Sequence, residues 1–192
     1  MPQPPREVDR RVARTRLALR NAMLALLPAS GWDDLSIQAI CEQADVGRST
    51  FYLHYQGKDD LLSDSFAGLR DHLAAQRGPS AAPGLGMLGG LLDHMAEQRA
   101  VFKAVIGQRG GHGIASRFKA MVRELVDLEL KRRGLAAEQR HWLASYLAGG
   151  IVETMAWWID APRPPSVREM ERRINLLAEA AITMVVDTSV SS

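Results

Sequence analysis

Arg48, Ser49, Thr50, Tyr52 and His54 fall within a run of seven residues that contains no carboxylate. Guanidinium, hydroxyl, phenol and imidazole groups in that density are hydrogen-bond donors suited to the approach of a polyanion. Bond-breaking chemistry has no comparable cluster. No HExxH, GxSxG, P-loop or paired-cysteine motif occurs. His94 and His112 with Glu97 are the best metal-ligand grouping. Isolated helical histidines are more often capping or surface residues, so no metal is assigned, and His72 and His141 are read as surface positions. Gly84-Leu85-Gly86-Met87-Leu88-Gly89 matches the spacing GxGxxG. A dinucleotide site needs a strand directly before the glycines, and Ser80-Ala81-Ala82-Pro83 is not one.

The polar run must be held out on a short helix, and the flanking residues supply the support. Ser36 is placed to cap a helix whose Ile37, Ile40, Cys41 and Ala44 share one face. Asp45 takes the turn, since Asp tolerates a left-handed backbone. Val46 plugs the space between helices and Gly47 opens the next helix, Arg48 to about His54, with Phe51 and Tyr55 turned inward. Residues 35–54 therefore form a helix-turn-helix with its second helix as the reader. Ahead of it, a helix from about Asp9 to Ala29 carries Val12, Leu19, Ala22, Met23 and Leu26 at helical spacing. It ends near Pro28 and Ser30-Gly31, and Trp32 packs beside the next turn. Arg6, Arg10, Arg11, Arg14, Arg16 and Arg20 make an arm and first helix that are basic beside the reader, where phosphates would lie.

Together these residues resemble the DNA-binding signature of the TetR (tetracycline-repressor) family of bacterial transcriptional regulators. The likeness is carried by Leu35-Ser36, Ala44-Asp45-Val46, Ser49-Thr50-Phe51-Tyr52, and His54-Tyr55 followed by Lys58 and Leu61-Leu62. It is specific over about the first seventy residues and architectural beyond them. Asp45 stands where the family usually has Gly, and Gly47 where Ser is common. The resemblance and helix geometry together imply that Gly47, Arg48, Ser49, Thr50, Tyr52, Leu53 and His54 line the groove-facing side or its ends. Arg48 is the choice for a bidentate guanine contact. Tyr52, His54, Ser36 and Gln38 are expected at phosphates, with Lys58 at another from the N-terminus of the following helix.

The 192 residues carry a net charge of +2, too small to imply nucleic acid without its uneven distribution. Cys41 is the single cysteine, a small core residue consistent with a reducing, cytoplasmic compartment. The N-terminus has no apolar core of a signal peptide, and the apolar run from Trp142 to Ile159 contains Glu153 and a Gly pair. That run reads as a buried helix rather than a membrane span.

The expected organisation is all-α in two domains: residues 1–75, a three-helix DNA-binding head with its connecting helix, and residues 76–192, a helical effector-binding and dimerising body. Residues 1–9 are expected as a flexible arm and Gln76–Gly90 as a hinge. After Lys58, Leu62, Phe66, Leu69 and Leu73 mark the connecting helix. Body helices are predicted over Leu88–Met95, Val101–Ile106, Ile114–Arg133 and Ala137–Asp160, the third with a stripe ending at Leu128. The last helix has a Ser166–Glu169 capping box and an apolar face of Met170, Ile174, Leu177, Ala181 and Met184.

Phe102, Met121, Trp142, Tyr146, Met155 and Trp158 are the candidate lining of an effector pocket, with an apolar or aromatic small molecule of unknown identity as its occupant. Trp157 and Trp158 must point in different directions, one to the pocket and one to a partner. Ala148, Gly149 and Gly150 offer a flat place for a second backbone, so the two C-terminal helices are the expected homodimer interface. The expected function is ligand-responsive transcriptional control, most often repression in proteins resembling this one, at a palindromic double-stranded operator. Activation would use the same contacts. An enzyme or carrier that borrows the fold is disfavoured by the basic first helix and the carboxylate-free reading face.

Overall fold

A computed structural model describes residues 7–75, 84–107 and 111–190. Among these there are nine helices and no strand: α1 Glu7–Asp34, α2 Ile37–Ala44, α3 Arg48–His54, α4 Lys58–Ala75, α5 Leu88–Glu97, α6 Arg99–Ile106, α7 His112–Arg132, α8 Ala137–Asp160 and α9 Val167–Val190. Two compact units divide between Phe66 and Ala67, within α4.

In the first unit α2 packs on α1 and α3. Leu19, Met23, Leu27, Ile40, Phe51 and Leu61 are fully buried and form its core. The expected arm is shorter than anticipated, because α1 begins at Glu7; residues 1–6 lie outside the described residues. Pro28 sits inside α1 without ending it, and the break comes at Gly31, whose φ of 71° and ψ of 172° interrupt the helix before a last turn to Asp34. A left-handed φ there is cheap only for glycine. Asp45 also has a positive φ, at φ 53° and ψ 46°, in the left-handed helical region that Asp tolerates better than most residues. Its N–H donates to the carbonyls of Cys41 and Glu42, which closes α2 and offsets the conformational cost.

In the second unit α7 and α8 form the main antiparallel pair, α6 packs on both, and α9 lies on α5 and α8. Leu88, Leu91, Leu92, Met95, Phe118, Val126, Leu130, Met155 and Ile159 are buried between them. The stripe on α7 follows the expected one from Ile114 through Phe118, Met121, Val122 and Leu125, all buried, and departs only at its end, where Val126 and Leu130 are inside and Leu128 is outside. The hinge ends before Leu88, where α5 starts, while residues 76–83 lie outside the described residues. The residues directly before Gly84 lie outside the described residues; Gly84 itself has a φ of 138°. Leu85 N–H donates to Asn175 Oδ1 at 2.8 Å, and a Cβ on Gly84 would stand 2.7 Å from Asn175 Cγ. These glycines shape a turn against α9, not a cradle for phosphate.

The last helix departs most from expectation. Met170, Ile174, Ala178 and Ile182 are buried at every fourth position. Leu177 and Met184 are 72% and 71% exposed, so α9 has two apolar faces and only one is covered. The capping box is half formed. Glu169 N–H donates to Ser166 Oγ, but the Glu169 carboxylate turns to Arg172 and Arg173. Those guanidiniums hold the carboxyl down at about 2.

Candidate nucleic-acid interface

The reading helix is short, so its attitude depends on what holds its ends. Ahead of it, Ser36 Oγ accepts the N–H of Ala39 at 3.1 Å and caps α2, the helix that leads into the reader. At its end, Tyr55 is 3% exposed and its hydroxyl is part of a network. The hydroxyl donates to Asp64 Oδ2 at 2.7 Å and accepts from Arg16 Nε at 3.1 Å; Arg16 Nη2 reaches Asp64 Oδ1 at 2.6 Å. Three helices are thereby tied at one point: α1, α4 and the C-terminus of α3. Burial pushes the Tyr55 phenol up, and the Tyr55 hydrogen bond does most to raise Arg16. Arg16, grouped with the phosphate-facing arginines from sequence, is a brace instead. Arg10, Arg11 and Arg14 remain exposed on α1.

On α3 itself, Phe51 is fully buried and meets Tyr52 edge-on at 5.4 Å between centroids. Arg48 and Ser49 are exposed, Tyr52 is 51% exposed, Leu53 is 82% exposed, and Thr50 and His54 are half-buried. Gly47 is the helix N-cap and supplies no side-chain cap. The face away from the head thus gathers Ser49, Thr50, Tyr52 and Leu53, with Arg48 exposed at the first position of α3 and Ser36 exposed ahead of the neighbouring helix. Gln38 is exposed too, but its amide donates to Glu42 Oε1 at 2.9 Å, which directs it along α2. Cys41 lies inside, and burial pushes its thiol up despite nearby Arg48.

Lys58 departs from its expected role. Its ammonium donates to the carbonyls of Trp32 at 2.7 Å, Leu35 at 3.0 Å and Asp33 at 3.1 Å, and lies 5.0 Å from the Trp32 ring centroid. An ammonium has three N–H donors, so none is left for a phosphate in this geometry. The start of α4 is also acidic, with Asp59 and Asp60 in its first turn and Asp60 accepting the N–H of Gln56. Carboxylates already occupy the favourable end of that helix dipole. Sequence reasoning found Lys58 but could not see that the unpaired carbonyls at and just past the end of α1 would capture it.

In the second unit the six pocket candidates do not converge. Phe102, Met121, Met155 and Trp158 are buried, Phe102 edge-on to Phe118 and Trp158 donating its indole N–H to Pro165 O. Trp142 and Tyr146 are 50% and 68% exposed. Tyr146 instead lines an open groove of about 530 Å³ between α8 and α9, with Gly150, Ile151, Trp157, Arg173 and Leu177. Of the small residues on α8, only Gly150 opens onto that groove; Ala148 is buried and Gly149 faces Lys119.

Among the described residues no three of His, Cys, Asp and Glu are placed to hold a metal. The side chain of His112 lies outside the described residues. His94 packs edge-on to Phe102, and burial, aided by His72 and opposed by Glu97, holds it below the ordinary imidazole value. The unfolded chain therefore binds this proton more readily, and stability is expected to fall as pH drops through about 6.5. Thermal melts at pH 7.5 and 5.5 should show a larger acid loss in the wild type than in a His94→Phe variant. Equal losses would contradict that role.

A helix-turn-helix with an exposed basic and hydroxyl-bearing second helix defines the head as a DNA-binding module. A profile described as bacterial regulatory proteins, tetR family, matches residues 19–64, and one described as transcriptional regulator C-terminal region, of the same family, matches residues 85–180. The chain belongs to the TetR family of transcriptional regulators, which are not enzymes. Among curated proteins it is 36% identical over 80 residues to an uncharacterized HTH-type transcriptional regulator, YxbF, of Bacillus subtilis. The match takes in 39% of this chain and 21% of that relative's length. Among solved structures, a TetR transcriptional regulator from Streptococcus agalactiae aligns with TM-score 0.67 at 23% identity, over 90% of this chain and 97% of that one. A TetR-family regulator from Syntrophomonas wolfei aligns at 0.64 with 13% identity, over 89% and 96%. DhaS, the dihydroxyacetone kinase operon activator, aligns at 0.53 with 17% identity, over 91% and 95%. These likenesses establish the fold. Among the described residues no helix is long and apolar enough to cross a membrane.

Proposed function

We propose that the protein is a ligand-responsive repressor that binds a palindromic operator in the cytoplasm as a homodimer. The carboxylate-free face of α3, held by the Arg16–Tyr55–Asp64 network, is the observation that carries this reading. In it, Arg48 contacts a guanine, Ser49 and Thr50 lie at base edges, and Tyr52, His54 and Ser36 bind phosphates. Gly47 allows close approach, and exposed Arg10, Arg11 and Arg14 supply further phosphate contacts. Lys58 is left out because its three donors are engaged within the head, and Arg16 because it braces Tyr55 and Asp64.

Two half-sites on one face of DNA stand about 34–36 Å apart, so two readers must be joined. The uncovered face of α9 and the groove beside it supply the join. The effector, an apolar or aromatic small molecule, is assigned to the second unit, with buried Phe102, Met121, Met155 and Trp158 as its remaining candidate contacts and Trp142 and Tyr146 set aside as exposed. Its signal passes along α4, whose Asp64 is bonded to Tyr55 and Arg16 and whose Arg70 pairs with Glu124 of α7 at 2.8 Å. Effector and operator then oppose each other through a coupling of about 1–3 kcal/mol.

Anisotropy titration against DNA upstream of the protein's own gene, at two salt concentrations, tests the reading. Tight, steeply salt-dependent binding, lost in an Arg48→Ala, Tyr52→Ala variant, is expected. Arg48→Ala alone should relax base preference by about 1–3 kcal/mol at one position per half-site. If neither that DNA nor a selection from random duplexes yields a preferred site, the operator reading fails. A reporter placed behind the selected site distinguishes repression from activation.

A further inference from the structure

Leu53 is 82% exposed, more than any other large apolar side chain reported for the described residues. Scattered surface leucines are ordinary, so exposure alone says little. Its direction is more informative. Phe51 and Tyr55, which are 0% and 3% exposed, fix the buried side of α3, and Leu53 lies two residues from each. Two residues turn a helix by about 200°, so Leu53 points almost directly away from the head. Ser49, one turn earlier, stands beside it. Thr50 and His54 stand on one side of this direction, about 60° and 100° round the helix, and Tyr52 on the other at about 100°.

The most outward side chain of a helix in the major groove meets base edges, while side chains farther round the helix, here Tyr52 and His54, reach the phosphates. Those edges are polar at every base pair except for one group, the C5-methyl of thymine. Leucine against a guanine, cytosine or adenine edge would strip water from donors or acceptors and return no hydrogen bond. Leucine against a thymine methyl excludes water from two apolar surfaces. We propose that Leu53 is a specificity-determining residue that reads a thymine methyl near the centre of each half-site. The inference rests on α3 being the element that enters the groove.

The test uses the full-length protein and the best duplex from a random-sequence selection. Each thymine is replaced in turn by deoxyuridine, which removes the methyl and leaves base pairing intact. One symmetry-related thymine per half-site should lose about fourfold in affinity when the methyl is removed, the effect of exposing one methyl-sized group. Leu53→Ala should bind the unmodified duplex more weakly and be indifferent to uracil at that position. Its thermal stability should match the wild type, because the side chain is exposed. A flat uracil scan, or an equal response in Leu53→Ala, overturns the thymine assignment while leaving α3 as the reader. Failure to select any preferred duplex overturns both.

Discussion

Leu177→Arg combined with Trp157→Arg is expected to convert the protein to a folded monomer and to lower operator affinity by a hundredfold or more. Both residues line the groove between α8 and α9, at 72% and 57% exposure, with Tyr146 at 68% beside them. Full burial of a leucine-sized side chain contributes roughly 1.5–3 kcal/mol, and a two-fold interface counts each residue twice. Arginine would place like charges across the axis, near the Arg173 already in the groove. The inner face of α9 would keep its packing, because Met170, Ile174, Ala178 and Ile182 are untouched. Joining two readers raises the effective concentration of the second half-site, an advantage of about 10²–10⁴ that is lost with the dimer. Light scattering coupled to gel filtration, with circular dichroism for the fold, reads the first part, and anisotropy on the palindrome the second. A variant that stays dimeric would remove α8 and α9 from the interface. One that dissociates yet binds as tightly would remove the need for two readers.

Lys58→Met is expected to destabilise the head by about 2–3 kcal/mol, since it removes charge-assisted bonds to three carbonyls. For a unit of this size the melting temperature should fall by roughly 10 °C or more. Lys58→Arg should recover little, because a planar fork cannot converge on three acceptors as an ammonium does. Salt separates this role from phosphate contact. A lost phosphate contact reduces the slope of log affinity against log salt by about one. For Lys58→Met the slope should stay at the wild-type value while affinity falls through the weakened head. A reduced slope with unchanged head stability would return Lys58 to the DNA backbone.

Lys58 also shows where sequence reading reaches its limit. The helix-turn-helix was legible because its signals are local: a capping Ser36, four apolar residues on one face, a turn at Asp45, and Phe51 and Tyr55 one turn apart. What each exposed cation does depends on groups far away in the chain. Arg16 meets Tyr55 and Asp64, and Lys58 meets carbonyls at the end of α1, partners set by tertiary packing. The aromatic residues of the second unit were ambiguous for the same reason. Periodicity marks Met170 and Leu177 alike as apolar helix positions, yet one is covered by α5 and α8 and the other is open. Gly150 and Gly149 are adjacent, but only their direction relative to α7 separates groove from neighbour. A helix with two apolar faces is one stripe too wide for a sequence pattern to divide.

The four tryptophans give the molecule an optical consequence. Trp32 is the one indole in the first unit, buried against the Lys58 ammonium. Trp158 is enclosed in the second unit, and Trp142 and Trp157 are half in water. Emission from Trp32 therefore reports the fastening at the start of α4, and emission from Trp157 reports whatever covers the groove. A single unlabelled sample, compared with its Trp32→Phe and Trp157→Phe variants, can follow release of the head and association of the body as two separate signals. Their order in time would show whether the head loosens before or after the proposed dimer parts.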